Sequence, residues 1–286
     1  DWVAFMEYDE GKGLIQSIYP RHSILERKAV GKSGQVQIIA TNVDVGLIVQ
    51  AASRDFNLNR LERYLTICNA ANIVPVVILS KVDLINDPEL QFIKLQIKQR
   101  LPDVQILTVS YKTIGYKEVE EIIEQGKTYC LLGSSGVGKS TLLNGLQGED
   151  KMKTGEISST VHKGKHTTSH RELILMKNGG ILIDNPGMRE IGVTDNLEGL
   201  NATFEIILEY AQECKFSDCT HSNEGGCAIL EALENGEINQ ESFANFRKLE
   251  KEQLHFESDA QDLKKKSKDL GRMIKSAKKQ RKDSKF

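Results

Sequence analysis

The sequence lacks any apolar run approaching the roughly 20 residues that a membrane-spanning helix needs, and it shows no signal-peptide pattern. Neither a membrane partner nor a secretory leader is expected. Cysteine is sparse and odd in number, five in 286 residues. That argues against a disulfide framework and for metal ligands or free thiols in a reducing, cytoplasmic compartment. Net charge is almost absent too, at −2, but the balance hides an asymmetry. Residues 261–286 hold eleven Lys and Arg against three Asp, a net of +8, so the rest of the chain carries −10. The first residue is Asp1 rather than Met, and further residues are expected upstream.

What is present centres on Gly133, Ser134, Ser135, Gly136, Val137, Gly138, Lys139 and Ser140, a G-x-x-x-x-G-K-S run. An apolar stretch, Tyr129-Cys130-Leu131-Leu132, precedes it, and a helix-like stretch opens with Thr141. Between a strand and a helix, such a loop cradles phosphates. Its glycines let successive N–H groups converge on a β-phosphate, and the helix N-terminus adds its dipole. Lys139 then reaches the β- and γ-phosphates, while the Ser140 hydroxyl ligates Mg²⁺. A nucleoside triphosphate site is expected, with Thr141 beside it.

The chain is long enough for more than one domain. Its first forty residues read as short strands at 2–6, 14–19, 23–25 and 35–40, separated by turn-rich segments. They look like the later part of a small β-barrel whose first strands lie before Asp1. Such a barrel binds nucleic acid or is purely structural, and the residues leave both open. From Asp44 onward, apolar strands at 45–49, 74–79, 106–109 and 128–132 alternate with helical patterns at 57–71, 89–100 and 117–125. Alternation of this kind implies a parallel sheet covered by helices, with ligands at the carboxyl ends of its strands.

Two of those ends carry polar groups besides the phosphate loop: Ser80-Lys81-Val82-Asp83 and Ser110-Tyr111-Lys112. A carboxylate placed like Asp83 can accept both the ring N–H and the exocyclic amine of guanine. Taken alone, Lys-x-Asp after a strand is also a common solvated turn. Beside the phosphate loop, Ser80 to Asp83 resembles the N/T-K-x-D guanine motif of GTPases, and Ser110 to Lys112 its companion base-side loop. Residues 164–170 resemble switch I, and Asp184-Asn185-Pro186-Gly187 resembles the D-x-P-G of switch II. The base motifs precede the phosphate loop, an order that marks circularly permuted GTPases.

With a cysteine cluster further on, the chain resembles the RsgA (YjeQ) family of small-ribosomal-subunit-dependent GTPases. The resemblance implies roles. Thr168 is the switch I metal ligand, with Thr167 as its fallback. Asp184 holds Mg²⁺ directly or through water, and the Gly187 N–H meets the γ-phosphate. Met188 stands where a water-orienting glutamine could have been, so unaided hydrolysis should be slow. His166 is the replacement considered for that glutamine; a surface histidine is the alternative, as it is for His170. Ser80 departs from the usual Asn, and Asn185 from the usual Thr.

The cluster is Cys214, Cys219, His221 and Cys227, spaced C-x₄-C-x-H-x₅-C. Three thiolates and an imidazole this close match a closed, structural Zn²⁺ site. Cys68 and Cys130 lie in apolar elements and read as core. A helical pattern from Glu241 leads into the basic tail, which neutralises phosphate backbone or serves as a solvated tail; with the resemblance, rRNA contact is the stronger reading. The expected organisation is α/β: a partial OB-like barrel at 1–41, a circularly permuted GTPase domain at 42–200, and a zinc-containing helical domain with its tail at 201–286. The expected activity is slow GTP hydrolysis to GDP by a monomer, coupled to docking on and release from the small ribosomal subunit. The alternatives are an ATP-using P-loop protein, disfavoured by Lys81 and Asp83, and a nucleotide-gated rRNA-binding scaffold.

Overall fold

The computed structural model describes residues 1–9, 11–28, 36–53, 55–112, 115–147, 172–184, 197–256 and 258. Four N-terminal strands pair two by two: β1 (Val3–Asp9) with β2 (Lys12–Ile18), and β3 (Ile24–Lys28) with β4 (Val36–Thr41), both antiparallel. The first pair leaves Phe5, Tyr8, Ile15 and Ile18 exposed. The second is anchored to the segment that leads into the central sheet. There Ser23 Oγ donates to the Val43 carbonyl at 2.7 Å, and Asn42 Oδ1 accepts from the His22 amide at 3.0 Å.

The centre is a six-stranded sheet in the order β7-β6-β5-β8-β10-β9. Its strands are β5 (Val45–Ala51), β6 (Val74–Ser80), β7 (Gln105–Thr108), β8 (Thr128–Leu132), β9 (Glu172–Leu175) and β10 (Ile181–Asp184). All neighbours run parallel except β9 with β10. Strand alternation sorts the apolar residues to two faces. Ile48, Val77, Leu79, Cys130 and Leu132 pack under α1 (Leu58–Ala70) and α2 (Asp87–Arg100). Leu47, Val49, Ile78 and Leu131 pack under α3 (Lys117–Ile122) and α4 (Lys139–Gln147).

Local signals set the helix starts. Asn57 caps α1 by accepting from the Arg60 amide at 2.8 Å, and Asn86 with Glu89 forms a reciprocal capping box on α2. The helical pattern in the sequence runs to residue 125, but α3 stops at Ile122, where the chain turns so that the Tyr129 hydroxyl can donate to the Ile122 carbonyl at 2.6 Å.

β5 pairs with β6 on one side and β8 on the other. The helix after β5 covers one face of the sheet and the helix after β8 covers the other. The crevice between their carboxyl ends is therefore the switch point at which sheets of this type take ligands.

A third core belongs to helices α5 (Leu197–Thr203), α6 (Glu205–Gln212), α7 (Ala228–Glu234) and α8 (residues 240–256). Leu200, Phe204, Ile207, Ile229, Phe246 and Leu249 fill it, with Phe204 and Phe246 edge to face at 5.5 Å. Among the described residues, no helix is long and apolar enough to cross a membrane.

Candidate nucleotide and metal sites

The phosphate loop leaves β8 at Gly133, whose φ of +140° and close approach to β5 both demand glycine: a Cβ there would lie 2.4 Å from the Val49 carbonyl oxygen. Gly136 and Gly138 also take positive φ, bending the loop before α4 begins at Lys139. The Lys139 ammonium donates to the carbonyls of Gly133 and Ser134 at 2.7 and 2.8 Å. It thus lies folded across its own loop.

The two base-side segments are joined to this loop and to each other. Ser80, buried at the end of β6, donates its hydroxyl to the Val137 carbonyl at 2.6 Å and lies 3.2 Å from the Gln50 carbonyl. A hydroxyl thus makes the tie that an asparagine amide would have made. Lys81 takes a left-handed backbone (φ +57°), and its ammonium donates to the Gly136 carbonyl at 2.6 Å. Burial lowers its pKa, with Asp55 and Asp83 opposing the shift. The Ser110 hydroxyl donates to Asp83 Oδ1 at 2.8 Å and accepts from the Lys112 amide at 3.1 Å, so one carboxylate edge is fixed by the companion loop. Tyr111 is exposed.

Asp184, at the carboxyl end of β10 beside β8, is 2% exposed, and its Oδ1 has no hydrogen-bond partner among the described residues. Burial raises its pKa; Lys139 pulls it back down and Glu172 adds to the rise. A buried carboxylate oxygen without a donor, near the phosphate-loop lysine, has the chemistry of a Mg²⁺-side ligand. The site residues therefore fit a Mg²⁺–nucleotide. Asn185, Pro186, Gly187, Met188 and all of switch I, including His166, Thr167, Thr168 and His170, lie outside the described residues, as does the basic tail.

Between α6 and α7 the chain brings Cys214, Cys219, His221 and Cys227 together, their ligand atoms all within 4.8 Å of one another. His221 Nδ1 lies 3.6 Å from Cys214 Sγ and 3.5 Å from Cys227 Sγ, and the two sulfurs are 3.9 Å apart. A tetrahedral Zn²⁺ with bonds of about 2.3 Å to sulfur and 2.0–2.1 Å to nitrogen places its ligands about 3.8 Å (S to S) and 3.5 Å (S to N) apart. Cys214, His221 and Cys227 already stand at those separations, and with Cys219 they make a donor set that suits a structural Zn²⁺. The spacing rule did not reveal Glu224, whose carboxylate accepts from the amides of Thr220, Ser222 and Asn223 at 2.9, 2.8 and 3.1 Å and from the Thr220 hydroxyl. These bonds hold the Glu224 pKa well below the usual carboxylate range, the Thr220 hydroxyl contributing most, and fix the loop that returns from His221 to Cys227.

The RsgA GTPase family model matches residues 18–194. The chain belongs to the RsgA GTPase family. A model described as 50S ribosome-binding GTPase matches residues 128–281, beginning at the phosphate-loop strand. Among curated relatives, the small ribosomal subunit biogenesis GTPase RsgA of Methanosarcina acetivorans is 42% identical over 260 residues, covering 90% of this chain and 70% of its own length. RsgA 1 of Bacteroides thetaiotaomicron is 39% identical over 285 residues, covering 98% and 79%. The crystal structure of YjeQ from Thermotoga maritima aligns with a TM-score of 0.61 at 26% identity, over 88% of this chain and 82% of that one. YloQ, described as a circularly permuted GTPase, aligns at 0.58 and 26%, over 91% and 79%. Permutation is visible in the RsgA-type sheet itself, where β6 and β7 carry the base-side segments before β8 delivers the phosphate loop.

A buried polar knot joins the helices of this RsgA-family chain, and no motif announced it. Glu62 of α1 and Arg100 of α2 form an ion pair with side chains 1% and 2% exposed, at 2.7 Å. Ser242 and Asn245 of α8 donate to the same carboxylate at 2.7 and 2.6 Å. The sequence signal available was faint: Glu62 shares its face of α1 with Asn59, Arg63 and Thr66, a stripe that pattern alone reads as solvated.

Proposed function

We propose that this chain hydrolyses GTP to GDP and couples the reaction to docking on, and release from, the small ribosomal subunit during its maturation. The observation that carries the nucleotide reading is the joined crevice: Asp83 held by Ser110, and both Ser80 and Lys81 bonded to the phosphate loop. Asp83 Oδ2 then faces the donor pair that guanine has and adenine lacks. The subunit reading rests on the relatives' name, small ribosomal subunit biogenesis GTPase, carried by proteins that match 90–98% of the chain. The model that speaks of the 50S particle spans a shorter stretch, so the small subunit is preferred.

In this reading the Lys139 ammonium turns from its loop carbonyls to the β- and γ-phosphates, the amides of residues 134–141 line the phosphates, and Ser140, Thr168 and Asp184 hold Mg²⁺. The metal neutralises charge that develops on the phosphate oxygens during transfer. Gly187 contacts the γ-phosphate, and His166 orients the attacking water in place of the absent glutamine. The chain is organised as a partial barrel (1–41), a permuted GTPase domain (42–200) and a Zn²⁺-bearing helical domain with a basic, rRNA-facing tail (201–286). It acts as a cytoplasmic monomer.

The test is competition against a fluorescent GDP analogue. GTP and GDP should displace it at concentrations at least a hundredfold below ATP, and Asp83→Asn should erase most of that preference. Equal displacement by ATP would overturn the guanine reading.

A further inference from the structure

Helix α4 carries a residue that its local sequence does not favour. Gly145 stands in the helix interior, between the buried Leu143 and Leu146. Only proline is a poorer choice there, so the glycine calls for a packing reason. The structure supplies one: a Cβ at Gly145 would lie 1.9 Å from Cε2, 2.3 Å from Cδ2 and 2.4 Å from Cζ of Tyr116. The Tyr116 ring therefore lies directly on the backbone of the helix that the phosphate loop opens, half-buried against the core of Val119, Leu142 and Leu146. Its hydroxyl has no hydrogen-bond partner among the described residues. The ring is what the contact uses.

Tyr116 also closes the base-side loop. Its carbonyl accepts from the amides of Val119 and Glu120 at 3.0 Å each, which starts α3. Its neighbour Gly115, at φ +72°, donates its amide to the Ser110 carbonyl at 2.8 Å, an antiparallel bridge. Glu118, in the first turn of α3, accepts from the Thr108 amide at 3.0 Å. Ser110, 1% exposed, turns its hydroxyl onto Asp83 Oδ1 at 2.8 Å. Three contacts thus run in series from the phosphate-loop helix to the carboxylate on the base side: Tyr116 ring on Gly145, Gly115 amide on the Ser110 carbonyl, Ser110 hydroxyl on Asp83. From the other side the same carboxylate's segment is tied to the phosphate loop by Ser80 and the Val137 carbonyl.

We propose that Tyr116 is a positioning residue for guanine selectivity, and that Gly145 is the seat on which its ring sets Ser110 and, through Ser110, Asp83. Without the ring on its seat, Gly115 loses its fixed place and the Ser110 hydroxyl its aim. Asp83 then keeps its charge but loses the donor that orients one of its edges. The effect falls on the base and spares the phosphates, so guanine nucleotides lose affinity while adenine nucleotides, held through their phosphates, do not. The inference rests on the guanine reading of Asp83.

Competition of GDP and of ADP against a fluorescent GDP analogue on the full chain tests it, with the variants Tyr116→Ala, Tyr116→Phe, Gly145→Ala and the pair Gly145→Ala with Tyr116→Ala. Tyr116→Ala should bind GDP about tenfold more weakly, the lower end of the worth of a hydrogen bond to a charged group, with ADP unchanged; KM for GTP should rise while kcat is retained. Tyr116→Phe keeps the ring and should keep the preference for GDP. In Gly145→Ala a methyl group takes the ring's place, a change that favours the helix itself, and the GDP-over-ADP ratio should narrow by a similar factor. The pair should be no weaker than Tyr116→Ala alone, because both changes act through one contact. An intact ratio in Tyr116→Ala or Gly145→Ala, equal losses of GDP and ADP, or factors that multiply in the pair would overturn the proposal. If Tyr116→Ala does not fold, Gly145→Ala decides the question by itself. A parent chain without a preference for GDP would overturn the guanine reading, whereas a selective parent with equally selective variants overturns the role of Tyr116 and leaves that reading in place.

Discussion

Replacing Asp184 by Asn should make the nucleotide-free protein more stable and the Mg²⁺–nucleotide complex far weaker. The carboxylate ends β10 at 2% exposure; among the described residues Oδ1 has no partner, and Lys139 draws its pKa back from the rise that burial causes. Because the folded state binds this proton more tightly than the unfolded chain does, ionisation opposes folding. The stabilising contribution is complete below the ordinary Asp range. It is lost as pH climbs through the raised folded value, so at neutral pH without Mg²⁺ the penalty is in force. A buried acceptor left unsatisfied costs about 1–3 kcal/mol. At about 2 °C per kcal/mol for a chain this size, Asp184→Asn should melt about 2–6 °C above the parent in EDTA, and the gap should close below about pH 4. With Mg²⁺ and GDP at a hundred times the dissociation constant, the parent gains about 2.7 kcal/mol, and the variant should gain little. Differential scanning fluorimetry with and without Mg²⁺–GDP reads both effects. A variant that melts below the parent in EDTA, or gains equally from Mg²⁺–GDP, would refute the assignment of Asp184.

Three further outcomes rest on single contacts. Glu62→Gln leaves the buried Arg100 guanidinium with only the longer, exposed Glu241 contact at 3.6 Å as counter-charge and should cost about 3 kcal/mol, read as a shifted urea midpoint; Glu62→Leu with Arg100→Leu should recover most of that but not all, because Ser242 and Asn245 lose their acceptor. Ser80→Ala leaves the buried Val137 carbonyl without its donor and should weaken GDP binding about fivefold by calorimetry, while Ser80→Asn should not. Cys219→Ser should lower bound zinc from one equivalent to less than a tenth by atomic absorption and collapse near-ultraviolet ellipticity from the α5–α8 core; a full equivalent retained by the variant would remove Cys219 from the metal site.

What the sequence disclosed and what it withheld divide along physical lines. The phosphate loop, the base-side segments and the Cys3His cluster are short-range patterns whose chemistry dictates residue type at fixed spacing, and the six-stranded sheet is implied by apolar runs alternating with helical stripes. The ties between those parts are long-range. Glu62 and Ser242 are 180 positions apart, and nothing in a helical stripe says that its one carboxylate will be buried against another helix. Glu224 reads as an exposed loop acid, yet it closes the loop between His221 and Cys227 through four hydrogen bonds to neighbours within four positions. At Ser80 the sequence shows an amide replaced by a hydroxyl that can substitute in part, and the structure supplies its acceptor, the Val137 carbonyl. The N-terminal strands were legible singly, whereas their pairing into two separate ladders depends on register that a run of β-formers does not encode.

The central claim is that a guanine-selective hydrolase is driven by the small ribosomal subunit. Its most direct test is steady-state phosphate release from GTP and from ATP by the full chain, with and without purified small subunits, at two salt concentrations. The account predicts slow turnover alone, negligible turnover of ATP, and stimulation by subunits that weakens at the higher salt as phosphate contacts are screened. Equal turnover of ATP, or GTP turnover indifferent to small subunits, would contradict it.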